Sequence, residues 1–98
     1  MDKLNSLYET IFVVALNEGD EKADQVKGKF LDLINANATD VEVNEWGKRR
    51  LAYPINDLTE GYYCYVKFNA PAEFPTELER IYNITEGILR SIVVKLDA

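Results

Sequence analysis

From Tyr8 to Leu16 (YETIFVVAL) apolar residues fall on odd and even positions alike after Glu9, and most are β-branched or aromatic. That pattern predicts a strand covered on both faces. The period then changes. Asn17 to Asp20 supplies a turn, and Ala23, Val26, Phe30, Leu33 and Ile34 recur at helical spacing to about Asn37. Asp20 is the expected N-cap, with Glu21 and Asp24 placing negative charge where the helix dipole favours it. Gly28 within this helix costs about 1 kcal/mol relative to alanine.

Period two returns from Val41 to Ile55, where Val41, Val43, Leu51, Tyr53 and Ile55 all occupy odd positions. Gly47 interrupts this stretch and marks a bulge or bend, and Pro54, which cannot donate to a ladder, places the strand at a sheet edge. Asn56 to Gly61 reads as a connection to a strand over Tyr62 to Asn69, with Cys64, Val66 and Phe68 on one face and Tyr63, Tyr65 and Lys67 on the other. Pro71 and Pro75 bracket a loop, and Thr76 with Glu79 resembles a capping box for a second helix carrying Leu78, Ile81 and Tyr82. Asn83 to Gly87 closes that helix, and Ile88 to Leu96 is a final β-branched strand.

The resulting order, β-α-β-β-α-β, predicts an α+β, ferredoxin-like fold: a four-stranded antiparallel sheet with two helices on one face, formed by residues 1–98 as a single domain. Such a sheet leaves its second face open. The first strand is central in this topology, so its apolar character on both sides implies that something covers part of that face. A protein partner is the economical explanation; a few scattered exposed apolar residues on a small domain is the plainer one.

Composition narrows the chemistry. A hydrophobic fraction of 47% with 29% charged residues is ordinary for a globular chain and argues against disorder. The longest apolar run, Ile11 to Leu16, is far short of the roughly 20 residues a membrane helix needs. Met1 to Leu7 lacks the features of a signal or transit peptide, which points to the cytoplasm. Cys64 is the single cysteine, excluding an internal disulfide and zinc sites built on cysteine pairs. The sequence contains no histidine, which removes the commonest general base and metal ligand. No glycine-rich phosphate loop or apolar-set pair of carboxylates stands out. These observations point away from an enzyme and imply no metal, cofactor or small-molecule substrate.

The net charge is −6, yet Trp46 to Ile55 contains Lys48, Arg49 and Arg50 and no acid, so this segment carries +3 and the remainder −9. Cations beside an aromatic on an open sheet are the combination that RNA-binding sheets use, the arginines for phosphates and the rings for bases. With unbroken alternation, Trp46, Lys48 and Arg50 would face opposite to Leu51, Tyr53 and Ile55; a bulge at Gly47 would redistribute Trp46, Lys48 and Arg49. Charged edge strands also simply prevent aggregation. Gly61-Tyr62-Tyr63-Cys64-Tyr65-Val66-Lys67-Phe68 comes near the RNA-recognition-motif signature, whose last four positions Tyr65 to Phe68 fit. Its glycine is one place early and its leading basic residue is missing, so Tyr63 and Tyr65 serve equally well as aromatics of a protein interface.

Gly47-Lys48-Arg49-Arg50-Leu51-Ala52-Tyr53-Pro54-Ile55-Asn56 closely resembles the signature of the family of the sixth protein of the bacterial small ribosomal subunit. Tyr8-Glu9, Glu45-Trp46-Gly47, Gly61-Tyr62-Tyr63 and Ile88-Leu89-Arg90 leading to Val93-Val94-Lys95 resemble that family in the same order, so the likeness runs from Tyr8 to Leu96. The resemblance implies a ferredoxin-like fold, no catalysis, binding to the central domain of small-subunit ribosomal RNA, and pairing with the eighteenth small-subunit protein. Carried onto this chain, it implies that Lys48, Arg49 and Arg50 touch RNA or partner, that Trp46, Tyr53 and Pro54 shape that surface, and that Arg90 contributes at the last strand. The lead ahead of Tyr8 is slightly longer than is usual in the family, and the sequence ends at Ala98 without the extended tail of many members, so no tail contact is carried over.

Overall fold

The computed structural model describes residues 5–17, 19–55 and 58–96, with backbone alone for 52–55 and 58. The elements are β1 (Asn5–Ala15), α1 (Asp20–Asn37), β2 (Thr39–Ile55), β3 (Leu58–Pro71), α2 (Glu73–Ile84) and β4 (Ile88–Lys95). The strands form one antiparallel sheet in the order β2-β3-β1-β4. Each helix therefore crosses over one intervening strand, which is the ferredoxin-like arrangement expected, with β2 at an edge as Pro54 requires. The β2–β3 pairing is long, and the molecule measures 48 × 24 × 23 Å.

Alternation on the two central strands decides what is inside. Tyr8, Thr10, Phe12 and Val14 of β1 and Cys64, Val66, Phe68 and Ala70 of β3 are buried against the helices. Phe30 and Ile34 of α1 and Leu78 and Tyr82 of α2 close the core over them. Phe12, Phe30 and Tyr82 form a ring cluster with centroids 4.5–5.7 Å apart. The Thr10 hydroxyl donates to the Ile92 carbonyl at 2.8 Å, which leaves the Tyr82 hydroxyl to donate to Thr10 Oγ1 at 3.0 Å. Two buried hydroxyls are thereby satisfied where an unpaired one would cost about 1–3 kcal/mol. Burial pushes the Tyr82 phenol above its ordinary pKa, and pushes the Cys64 thiol up to about 11.

Four local expectations change. Gly19, at φ +94°, occupies the N-cap of α1 and accepts the first helical bond from the Ala23 amide, so Asp20 is the first helical residue and not the cap. The space between β3 and α2 is the single residue Ala72, so no loop lies between Pro71 and Pro75. Helix α2 starts at Glu73, which places Thr76 inside the first turn where no capping box can form. Finally, β3 begins at Leu58, so Thr59 to Gly61 are strand and not connection; Asn56 lies outside the described residues.

Candidate interface on the open sheet face

The phase of β2 breaks at Gly47. Glu45 stands opposite Cys64 and Gly47 opposite Tyr63, so Trp46 is the extra residue of a bulge, and Gly47 takes φ +82°, a conformation other residues rarely adopt. Before the bulge, odd positions such as Val43 and Glu45 face the helices; after it, even positions do. The alternation expected for an unbroken strand is therefore overturned. Trp46 and Arg49 share the open face, while Lys48 and Arg50, opposite Tyr62 and Glu60, lie on the helix side. Leu51 also turns to the open face, where it and Val13 both border the space above Gly61, and both are buried. Part of the cover that β1 needs on its second face thus comes from the chain's own hairpin.

The Trp46 ring lies nearly parallel to Tyr65 and Tyr63, with centroids 5.8 and 6.5 Å away and interplanar angles of 10° and 18°. The Arg49 guanidinium sits over the indole at 5.5 Å, a cation–π geometry. The Tyr65 hydroxyl donates to the Glu9 carboxylate at 2.7 Å, and that negative neighbour holds the phenol above its ordinary pKa. Lys67 stands between Glu9 and Glu42 in the strand register. Among the described residues, no carboxylate lies within salt-bridge distance of Arg49 or Arg50. Lys48 differs: its ammonium is 2.8 Å from Asp20 at the start of α1, which raises its pKa.

Across β1 the open face turns aliphatic. Ile92 and Val94 of β4 pair with Ile11 and Glu9 of β1, and both are exposed at 48% and 42%. A shallow depression of about 270 Å³ is lined by Ile11, Val13, Tyr63, Arg90, Ser91 and Ile92. This brings Arg90 onto the same face as Trp46 and Arg49, opposite Val13. The backbone at Tyr53 and Pro54 continues β2, but their side chains lie outside the described residues. Among the described residues there is no group of three or more potential metal ligands and no helix long and apolar enough to cross a membrane.

The ribosomal protein S6 family model matches residues 7–95. The chain belongs to the ribosomal protein S6 family. It is 41% identical over 90 residues to small ribosomal subunit protein bS6 of Alkaliphilus oremlandii, covering 92% of this chain and 96% of that one. It is 46% identical over 89 residues to the bS6 protein of Clostridium perfringens, covering 90% and 94%. The crystal structure of 30S ribosomal protein S6 from Thermotoga maritima superposes with a TM-score of 0.82 at 25% identity, covering 95% of this chain and 89% of that one. As an S6-family member the chain is a structural, non-enzymatic protein of the small ribosomal subunit.

Two contacts of this face have no plain sequence signal. Glu9 is half of the Tyr-Glu pair that opens the family pattern, yet its bond to Tyr65 depends on strand register. The approach of Leu51 to the space above Gly61, which Val13 also borders, depends on the bulge phase, which alternation alone misassigns.

Proposed function

We propose that this S6-family chain, acting in the cytoplasm as one domain over residues 1–98, binds the central domain of small-subunit ribosomal RNA jointly with the eighteenth small-subunit protein. It works by shape and charge, without reading bases. The observation that carries this reading is the division of the basic segment by the bulge at Gly47: Arg49 joins Trp46 on the open face, and Arg50 stays exposed on the other side of the hairpin. Aromatic rings, an arginine and exposed aliphatics, with Glu9 and Glu42 offsetting Arg49, Lys67 and Arg90, are the chemistry of a protein interface. The protein partner covers this face, with Trp46, Arg49, Tyr63, Tyr65 and Arg90 against it. Arg50, and Lys48 once released from Asp20, meet phosphates at the hairpin, with Tyr53 and Pro54 shaping its far end. A −6 chain enters an RNA assembly this way because the phosphate contact is confined to one edge and a basic partner neutralises the rest.

A free-standing RNA-recognition-like domain would stack bases on Tyr63 and Tyr65. The Glu9 carboxylate bonded to Tyr65 and the indole beside both rings oppose an incoming nucleotide strand there.

The test is binding of folded Arg49→Ala, Arg50→Ala and the double variant to a central-domain rRNA fragment with and without the eighteenth protein. Arg49→Ala should weaken the protein–protein step, and Arg50→Ala should lower the salt slope of RNA binding by about 1. Undiminished binding by the double variant sinks the site. Tight binding of short single-stranded RNA without the partner, lost in Tyr65→Ala, would favour the rival.

A further inference from the structure

The bulge that sorts the basic residues is gripped from helix α1. Glu45, the residue just before it, turns towards the helices, where its Oε1 accepts from Lys27 Nζ at 2.7 Å and from the Tyr62 hydroxyl. Lys27 is itself enclosed: its side chain is 17% exposed, its ammonium lies 5.0 Å from the Tyr62 ring centroid and 3.4 Å from Asp24. On the far side of Gly47, Lys48 reaches Asp20 of the same helix. The second bond joins two exposed side chains and holds little; the first is the better packed. An unbulged strand cannot keep both grips, because Glu45 and Lys48 are three apart and both face the helices; holding Lys48 opposite Tyr62 would turn Glu45 to the open face, away from Lys27, and Trp46 to the helices, away from Arg49.

We propose that Lys27, acting through Glu45, is a positioning residue that selects the bulged phase of β2 and so keeps Trp46 on the open face beside Arg49 on the assembly surface. The inference rests on the reading above that Trp46 and Arg49 belong to that surface. Neither Lys27 nor Glu45 need touch a partner.

Trp46 is the sole tryptophan among six tyrosines, so the long-wavelength tryptophan band of the near-ultraviolet dichroism and the emission excited at the red edge, where tyrosine does not absorb, report this place alone. In the full chain, Lys27→Met keeps the length of the stem and removes the ammonium. It should change the Trp46 signals at unchanged far-ultraviolet dichroism and weaken binding to the central-domain rRNA fragment with the eighteenth protein by about fivefold. Lys27→Arg should restore both. Unchanged Trp46 signals, with or without a loss of binding, overturn the proposal, as does failure of Lys27→Arg to rescue. If Lys27→Met does not fold, Glu45→Met, which removes the acceptor, carries the same readouts with the same meanings. Arg49→Ala in parallel separates the two readings: wild-type binding by that variant removes the assembly surface, whereas the Trp46 signals of Lys27→Met decide the positioning role independently.

Discussion

The helix-covered face of the sheet and its open face are built from the same two central strands, but they use aromatic rings in opposite ways. On the covered face Phe12, Phe30 and Tyr82 are closed on every side, and the one phenol among them is hydrogen-bonded to Thr10. On the open face Trp46, 38% exposed, stacks with both Tyr63 and Tyr65, and Ile92 and Val94 of the same face are exposed among the described residues. The first set is an interior; the second is a surface with interior-like ingredients. Large rings and aliphatics grouped in water are what the proposed protein partner would cover. On the proposed reading the difference also separates two kinds of failure: damage to one face should cost folding, and damage to the other should cost assembly.

The sharpest contrast comes from removing a ring on each side. Phe30→Ala should destabilise by about 3–5 kcal/mol in denaturant unfolding, the range for a fully buried aromatic. Trp46→Ala should cost about 1 kcal/mol or less in the same experiment, because its lost ring contacts are half in solvent, while lowering affinity for the ribosomal assembly. Equal destabilisation by the two would erase the distinction. Next is the point where the open face does pack like an interior. A Cβ at Gly61 would lie 2.4 Å from Val13 Cγ1. Gly61→Ala should therefore cost about 1–3 kcal/mol by overpacking, measured as a lowered denaturation midpoint. A neutral result would mean that the close approach of Val13 to Gly61 is not maintained in solution.

The smallest effect sits on the hairpin. Lys27 and the Tyr62 hydroxyl hold Glu45 below its ordinary carboxylate pKa of 4.5. A depressed folded pKa means the charged form stabilises the fold above the unfolded value, and that this contribution is lost as pH falls through the folded one. Glu45→Gln should then be less stable than the parent at neutral pH, by about 0.2–1 kcal/mol for so exposed a pair. The gap should close in acid; a gap that persists at low pH would point to geometry and not charge.

Element order, sheet membership and the inward face of β3 were legible because each rests on periodicity, and periodicity is what burial imposes. Cys64, Val66 and Phe68 alternate with Tyr63, Tyr65 and Lys67 without interruption, so their faces follow directly. The helix starts were less legible. Asp20 and Thr76 have capping chemistry, but Gly19 takes the cap position of α1, and the one-residue link at Ala72 starts α2 before Thr76 can act. At Gly47 a glycine signals a bulge but not its phase. That phase depends on Glu45 meeting Lys27, residues 18 apart in sequence, and so the faces of Lys48, Arg49 and Leu51 could not follow from alternation alone.

Side-chain footprinting by hydroxyl radicals, comparing the free protein with the assembled small subunit, bears most directly on the claim that the open face is the assembly surface. Trp46, Tyr63 and Ile92 should lose reactivity on assembly, while Ile84, exposed at 68% on the last turn of α2, keeps its own. Unchanged reactivity at Trp46 and Ile92 within the subunit would contradict the account.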